Sequence, residues 1–315
     1  MPDNATLSKI AKLYYMEGLT QKQIGEQLGI SRIGVSRALK KCLETGIVEI
    51  KIKEFTPLSQ LEEELSEKYP GVQFKLVPFY ENQDALIKAL ADGAAEELNE
   101  IVKTSSAIGI GWGYTLSNIN VKSENKYPEK TFVSLLGGYG NVSIEMHSNH
   151  ITEKIGHEYG ANTMKLLTPS VVDDKRFKEI IINERSIKEI FDMYGKLDAL
   201  ICSVGDPSDE LATIHRSGYF AEDALRELKE KNIRCDIVSS VFIDSTGRIT
   251  GLDLSDRIIG INSKDFMKVK NKVIVAGGEE KMFALYAALE NGLIDRLITD
   301  ENTARYLLDK NPDEN

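Results

Sequence analysis

Glycines placed directly after apolar runs are the residues best suited to chemistry in this chain, because a backbone without a Cβ lets N–H groups approach an anion closely. Gly109-Ile-Gly111-Trp112-Gly113-Tyr114-Thr115 follows the run Ala107 to Ile110, and Thr115 adds a hydroxyl at the start of the next helix. Leu136-Gly137-Gly138-Tyr139-Gly140-Asn141, Ser203-Val204-Gly205-Asp206-Pro207 and Ala276-Gly277-Gly278-Glu279-Glu280-Lys281 carry the same chemistry. Open α/β sheets bind ligands beyond the carboxyl ends of their strands. Four such loops are therefore expected to converge on one edge and take an anion. Taken singly, any one of them is equally a tight strand-to-helix turn with no ligand. Lys281 stands where a helix start disfavours a cation unless an anion is near, which points to a phosphate, while pairing with Glu279 or Glu280 is the competing account. Trp112, the only tryptophan, either walls that pocket or is a core aromatic.

Catalysis on such an edge would need a general base near a carbon-bound proton and a second titratable group opposite it. Asp206, Asp244, Asp253 and Asp256 are the candidates, but Asp is also frequent in strand-end loops and caps. His147, His150, His157 and His215 form no metal or triad pattern and are expected at partly exposed positions. No catalytic residue, metal ligand or cofactor is assigned.

A second set of functional residues lies near the N-terminus. Ile24 and Leu28 share one helical face, Gly29 follows, and Val35 and Leu39 repeat the four-residue spacing. Thr20 and Ser31 stand just before the two helical runs as N-caps. The second helix carries Arg32, Ser36, Arg37, Lys40 and Lys41 opposite its apolar side, which is the division of labour a helix-turn-helix needs. An ordinary helical hairpin with a solvated basic face is the alternative. Against it stands the local charge. Residues 1–53 hold seven lysines and two arginines against five acids, net +4, so the rest of the chain carries −14 of the overall −10. Arg32 and Arg37 are expected at base edges, and Lys40, Lys41, Lys51 and Lys53 at phosphates, with Gln21, Ser31 and Ser36 also facing DNA.

The elements that must position these residues follow from periodicity. A first helix, Leu7 to Glu17, covers the helix pair, and Ile47 to Lys53 alternates as a strand, the wing of a winged helix-turn-helix. Leu58, Leu61, Leu65 and Tyr69 form a helix that either packs on the following domain or makes a seam between protomers. Beyond it, apolar strands alternate with amphipathic helices, including single strands over 198–204, 235–243 and 257–261. That alternation specifies an α/β domain with a mostly parallel, doubly covered sheet. The expected division is 1–54 for DNA binding and 55–315 for effector binding and oligomerisation. A chain of 315 residues, 42% hydrophobic and 28% charged, buries a full core, and its apolar runs fall short of a membrane span. With no secretory signal and three dispersed cysteines read as buried hydrophobes, the expected location is the cytoplasm.

Taken together, the chain resembles the SorC family of bacterial sugar-responsive transcription regulators, whose effector domain is similar to ribose-5-phosphate isomerase and glucosamine-6-phosphate deaminase. The resemblance rests on the helix-turn-helix, Gly111 to Thr115, Leu136-Gly137-Gly138, Ser148-Asn149, Thr168-Pro169, Asp244 with Gly247, Asp256-Arg257, Val275 to Lys281 and Leu297 to Ala304. It covers nearly the whole chain. It implies a dimeric or tetrameric regulator of a carbohydrate operon whose operator affinity changes on binding a pentose, hexose or triose phosphate. It also implies that Gly111, Gly113 and Thr115, with Lys281, hold the phosphate, and that Asn141, Ser203 and Asp206 lie near sugar hydroxyls. Trp112, Tyr114, Gly137, Gly138 and Gly205 complete the expected pocket. The alternative is a sugar-phosphate isomerase or deaminase fused to a DNA-binding module.

Overall fold

A computed structural model describes residues 3–48, 56–138 and 144–310. The chain divides into two compact units, Met1–Phe55 and Thr56–Asn315.

In the first unit, α1 (Asn4–Ala11) leads directly into a π-helical turn, Lys12–Met16, so the expected first helix is two segments with a change of pitch. Helix α2 (Gln21–Leu28) and helix α3 (Arg32–Glu44) follow. Leu7, Ile10, Leu13, Ile24, Val35, Leu39 and Cys42 make one buried cluster on which Leu28, Ile47 and Val48 pack. Of the wing strand expected over 47–53, Ile47 and Val48 are described and form a bend packed on this cluster, while residues 49–53, with Lys51 and Lys53, lie outside the described residues.

The second unit is built on a seven-stranded sheet in which every pairing is parallel. Its strands are β1 (Gln73–Val77), β2 (Ala107–Ile110), β3 (Thr131–Ser134), β4 (Asn162–Met164), β5 (Ala199–Cys202), β9 (Lys272–Val275) and β10 (Arg296–Asp300), ordered β1-β10-β9-β5-β2-β3-β4. The small strands β6 (Val204–Gly205), β7 (Ile233–Ile237) and β8 (Val241–Asp244) form a separate antiparallel sheet. Alternate residues of the main sheet feed opposite cores: Ala199 and Ile201 join one cluster, Leu200 and Cys202 the other. This period of two is the mark of a sheet covered on both faces. Helices α5 (Gln83–Thr104) and α7 (Ser148–Glu158) cover one face. The other is covered by α4 (Pro57–Lys68), α9 (Arg185–Tyr194), α13 (Met282–Glu290) and α14 (Glu301–Asp309). Among the remaining helices, α8 (Lys175–Asn183) and α11 (Glu222–Glu230) are amphipathic, while α6 (Tyr114–Ser117), α10 (Thr213–Arg216) and α12 (Ser263–Lys268) are short. Helix α4 packs on its own unit, with Leu61 and Leu65 in the core and the Tyr69 hydroxyl donating to the Leu307 carbonyl at 3.1 Å. No helix among the described residues is long and apolar enough to cross a membrane.

Three expected strands come out differently. The single strand over 235–243 is a hairpin, because Val238 and Ser239 take positive φ (50° and 56°) and the Ser240 N–H closes the turn on the Ile237 carbonyl. Such a turn matches strand twist but is normally built from Gly and Asn. Apolar residues on both sides of it therefore read as one continuous run. The segment 257–261 makes only isolated bridges, Val171 to Ile258 and Leu136 to Gly260. The strand expected to run to Val204 ends at Cys202, and Val204 crosses into the small sheet.

Candidate effector cavity and DNA-facing helix

Strands β2, β5 and β9 are neighbours, and the chain order reverses between β2 and β5 as the connections run outward on either side. A cavity of about 880 Å³ opens at their carboxyl ends, the place where doubly wound sheets bind ligands. Its walls include Trp112, Gly113, Tyr114 and Thr115 after β2, Ser203 and Gly205 after β5, and Gly277 and Lys281 after β9. Three of the four glycine loops thus meet.

The described part of the fourth, Leu136 to Gly138, does not line the cavity. A Cβ on Gly137 would lie 2.6 Å from Thr168 Oγ1 and 2.7 Å from the Pro169 carbonyl, and one on Gly138 would strike Tyr219. These two glycines serve close packing against 168–170 and Tyr219, and neither lines the cavity. Gly111 is likewise a packing glycine: a Cβ there would sit 2.7 Å from Cys202 Cβ, so β2 and β5 approach through it. Asp206 is buried outside the cavity, where its carboxylate accepts from Ser208 N–H (2.9 Å), Ser208 Oγ (2.8 Å) and Arg234 Nε (2.8 Å). Asn141 lies outside the described residues. Gly113 takes φ +116° at the rim, a backbone state few other residues adopt, and its N–H already donates to the Met146 carbonyl at 3.0 Å.

Lys281 forms no ion pair with Glu279 or Glu280 among the described residues; Glu280 instead accepts from Gln83 Nε2 at 3.1 Å. The Gly277–Gly278 turn beside it is shaped by Asp300, whose Oδ2 accepts from the Gly278 N–H at 2.7 Å and from Thr303 Oγ1 at 2.6 Å. A Cβ on Gly277 would come within 2.4 Å of that same oxygen.

Asp236 and Arg216 also line the cavity, and the sequence reading missed both. Asp236 is 6% exposed, and burial pushes its carboxyl up to about 7 against the opposing pull of the Ser239 N–H and the Lys281 charge. Its only local signal was an acid inside an apolar run, IRCDIVSSVFI. Trp112 satisfies both of its readings, being buried and lining the cavity, with its ring 5.3 Å from that of Tyr219. Tyr219 in turn hydrogen-bonds His147, which is 3% exposed, in contrast to the partly exposed setting expected of the histidines. His157 is exposed, and His150 and His215 are half-buried. Asp244, Asp253 and Asp256 do not line the cavity. All three cysteines are buried, and burial raises their thiols. No group of three or more His, Cys, Asp or Glu among the described residues is placed to hold a metal ion.

In the first unit the two caps form as their residues dictate. The Thr20 hydroxyl accepts from the Gln23 N–H at 3.3 Å while Gln23 Oε1 accepts from the Thr20 N–H at 2.9 Å, and Ser31 Oγ accepts from the Gly34 N–H at 3.1 Å. Gly29 ends α2 in the left-handed conformation, φ 68°. One residue escaped the sequence reading: a Cβ on Gly25 would lie 2.6 Å from the Ile30 carbonyl oxygen, so only glycine lets α2 reach the turn into α3. Arg32, Ser36, Arg37 and Lys40 are exposed on α3, with Lys40 3.8 Å from Glu44. Gln21 and Lys41 are half-buried, and Ser31 is exposed with its hydroxyl in the cap.

Both geometries have counterparts in known proteins. The family model for a sugar-binding domain matches residues 53–309, and that for sigma-70 region 4, a helix-turn-helix, matches residues 5–45. These two matches define a DNA-binding transcriptional regulator with a sugar-binding domain. The chain is 32% identical over 307 residues to the deoxyribonucleoside regulator of Bacillus subtilis, covering 95% of each chain. It is 26% identical over 312 residues to the sorbitol operon regulator of Klebsiella pneumoniae, covering 97% of this chain and 98% of that one. The crystal structure of the full-length sorbitol operon regulator SorC from Klebsiella pneumoniae superposes with a TM-score of 0.73 at 25% identity, over 96% of this chain and 98% of that one. The chain belongs to the SorC family of sugar-binding transcriptional regulators.

Proposed function

We propose that this regulator senses a phosphorylated sugar, with 1–54 as the DNA-binding domain and 55–315 as the effector and oligomerisation domain. The observation that carries this reading is Lys281, a cation lining the cavity without an ion-pair partner among the described residues. It supplies the charge for a phosphate and Thr115 a hydroxyl beside it. Ser203 and the buried Asp236 carboxyl then meet the sugar hydroxyls, and Trp112 walls an apolar ring face. The protein works in the cytoplasm on operator DNA as a homodimer or homotetramer, because a +4 segment neutralises few phosphates by itself. Effector binding draws the loops together, alters protomer packing and changes the spacing of paired α3 helices against half-sites about 34 Å apart.

Thermal-shift screening of sugar phosphates against the same sugars without phosphate tests this. A ligand at 100 times its dissociation constant adds about 2.7 kcal/mol of stability. Shifts with phosphorylated forms alone support the reading, and equal shifts with the parent sugars reject it.

One observation favours catalysis: a cavity carboxyl near 7 suits a general base. The regulator reading assigns Asp236 to hydroxyl recognition, and the four acids first considered as bases all lie off the cavity lining. Turnover of any sugar phosphate above about 1 per second would overturn it.

A further inference from the structure

Helix α3 presents a surface that its charge does not fully describe. Ile33, Ser36, Arg37 and Lys40 follow at spacings of three, four and seven residues, so they share one helical face, and all four are exposed. Three of them bear hydrogen-bond donors. Ile33 bears none, yet its side chain is 64% exposed. It belongs neither to the buried cluster of its unit nor to the half-buried residues packed on it, which are Tyr14, Leu19, Leu28, Ile47 and Val48. Folding therefore gives Ile33 no role. Single exposed apolar residues are common on protein surfaces. This one sits in the first turn of the helix that faces DNA, where side chains reach base edges in the major groove.

The groove offers one apolar feature, the C5-methyl of thymine. We propose that Ile33 is a specificity-determining residue of this regulator, and that its side chain packs on a thymine methyl in each half-site beside the bases read by Arg32 and Arg37. The contact removes water from two apolar groups at once, so it discriminates thymine from cytosine without a hydrogen bond. It also explains why an isoleucine stands where another donor would add phosphate affinity but no base preference. The inference extends the α3 surface already described; it needs neither the effector nor its phosphate.

The test uses the full-length chain and the duplex it selects from a random pool. Each thymine of that duplex is replaced singly by deoxyuridine, which removes only the methyl, and affinity is measured for wild type, Ile33→Ala and Ile33→Ser. With wild type, deoxyuridine at one position per half-site is expected to weaken binding about fourfold, the effect of exposing one methylene-sized group. With Ile33→Ala the penalty at that position disappears, and reselection yields a relaxed base there while the other positions are retained. Unchanged melting of both variants is expected, because the side chain packs on nothing in the core. A deoxyuridine penalty equal in wild type and Ile33→Ala would overturn the inference, as would the absence of any penalty in wild type.

Discussion

The α2–α3 surface and the effector cavity are encoded in opposite ways. Every group on the first comes from residues 20–44, placed by two helices whose period is visible in the order of side chains. The second draws on Trp112 after β2, Ser203 after β5 and Lys281 after β9, which meet because those strands lie side by side, and on Gln83 of α5 and Asp236 of β7. A surface built locally keeps its donors in water and leaves their charge in the sequence. A cavity built from distant loops can bury a carboxyl such as Asp236 and change its chemistry, which no local pattern records.

The sharpest way to break that contrast is at Asp236. Its carboxyl is raised by burial to about 7 from 3.8, so the native state holds the proton more tightly than the unfolded chain. That contribution to stability is complete below 3.8 and is lost as pH rises through about 7. Asp236→Asn removes the loss. The variant should therefore gain on wild type by up to about 4 kcal/mol between pH 4 and pH 8, read from urea unfolding across that range. A pH-independent difference would mean that the carboxyl sits in water like the groups on α3. Next in size is Lys281→Met. It should weaken binding of the sugar phosphate about 10- to 100-fold by removing a charge-assisted hydrogen bond, and leave operator affinity without ligand unchanged. Equal weakening for the parent sugar would show that Lys281 shapes the cavity and does not bind phosphate.

The same contrast explains how much could be read in advance. The parallel sheet, its double covering, the caps Thr20 and Ser31 and the basic face of α3 follow from spacing, and the structure has each of them. Glycine loops after β2, β5 and β9 were placed by the rule that ligands lie beyond strand ends, and they do line the cavity. Gly137 and Gly138 looked identical in sequence but serve packing against Thr168 and Tyr219. A glycine reports that something comes close to the backbone; whether a ligand or a neighbouring chain segment does so depends on contacts far away in sequence. Gly25 makes the same point inside the local unit, since its neighbour is the Ile30 carbonyl five residues on. The 235–243 hairpin was hidden because Val238 and Ser239 carry none of the usual turn signals.

Smaller effects sharpen the comparison on the DNA side. Gly25→Ala forces a Cβ to within 2.6 Å of a backbone oxygen that cannot rotate away. The expected cost is about 1 to 3 kcal/mol, confined to the N-terminal unit, so operator binding falls while effector-induced stabilisation of the second unit persists. Loss of both together would show that the units do not melt independently. Arg37→Ala should cost about 1 to 3 kcal/mol on the selected operator and relax one base position.

Lys40→Ala is the mildest change and separates the two kinds of contact on α3. Lys40 is exposed and only loosely paired with Glu44 at 3.8 Å, so its charge is available to a phosphate. Neutralising one phosphate fewer releases one counterion fewer, and the slope of log affinity against log salt should flatten by about 0.9 for each copy of α3 bound. The loss should be the same on the selected operator and on unrelated duplex, because phosphates carry no sequence. Arg37→Ala should change the ratio between those two DNAs. If Lys40→Ala changes that ratio instead and leaves the salt slope alone, then the base-reading side of α3 is turned by about one helical position from the face assigned here.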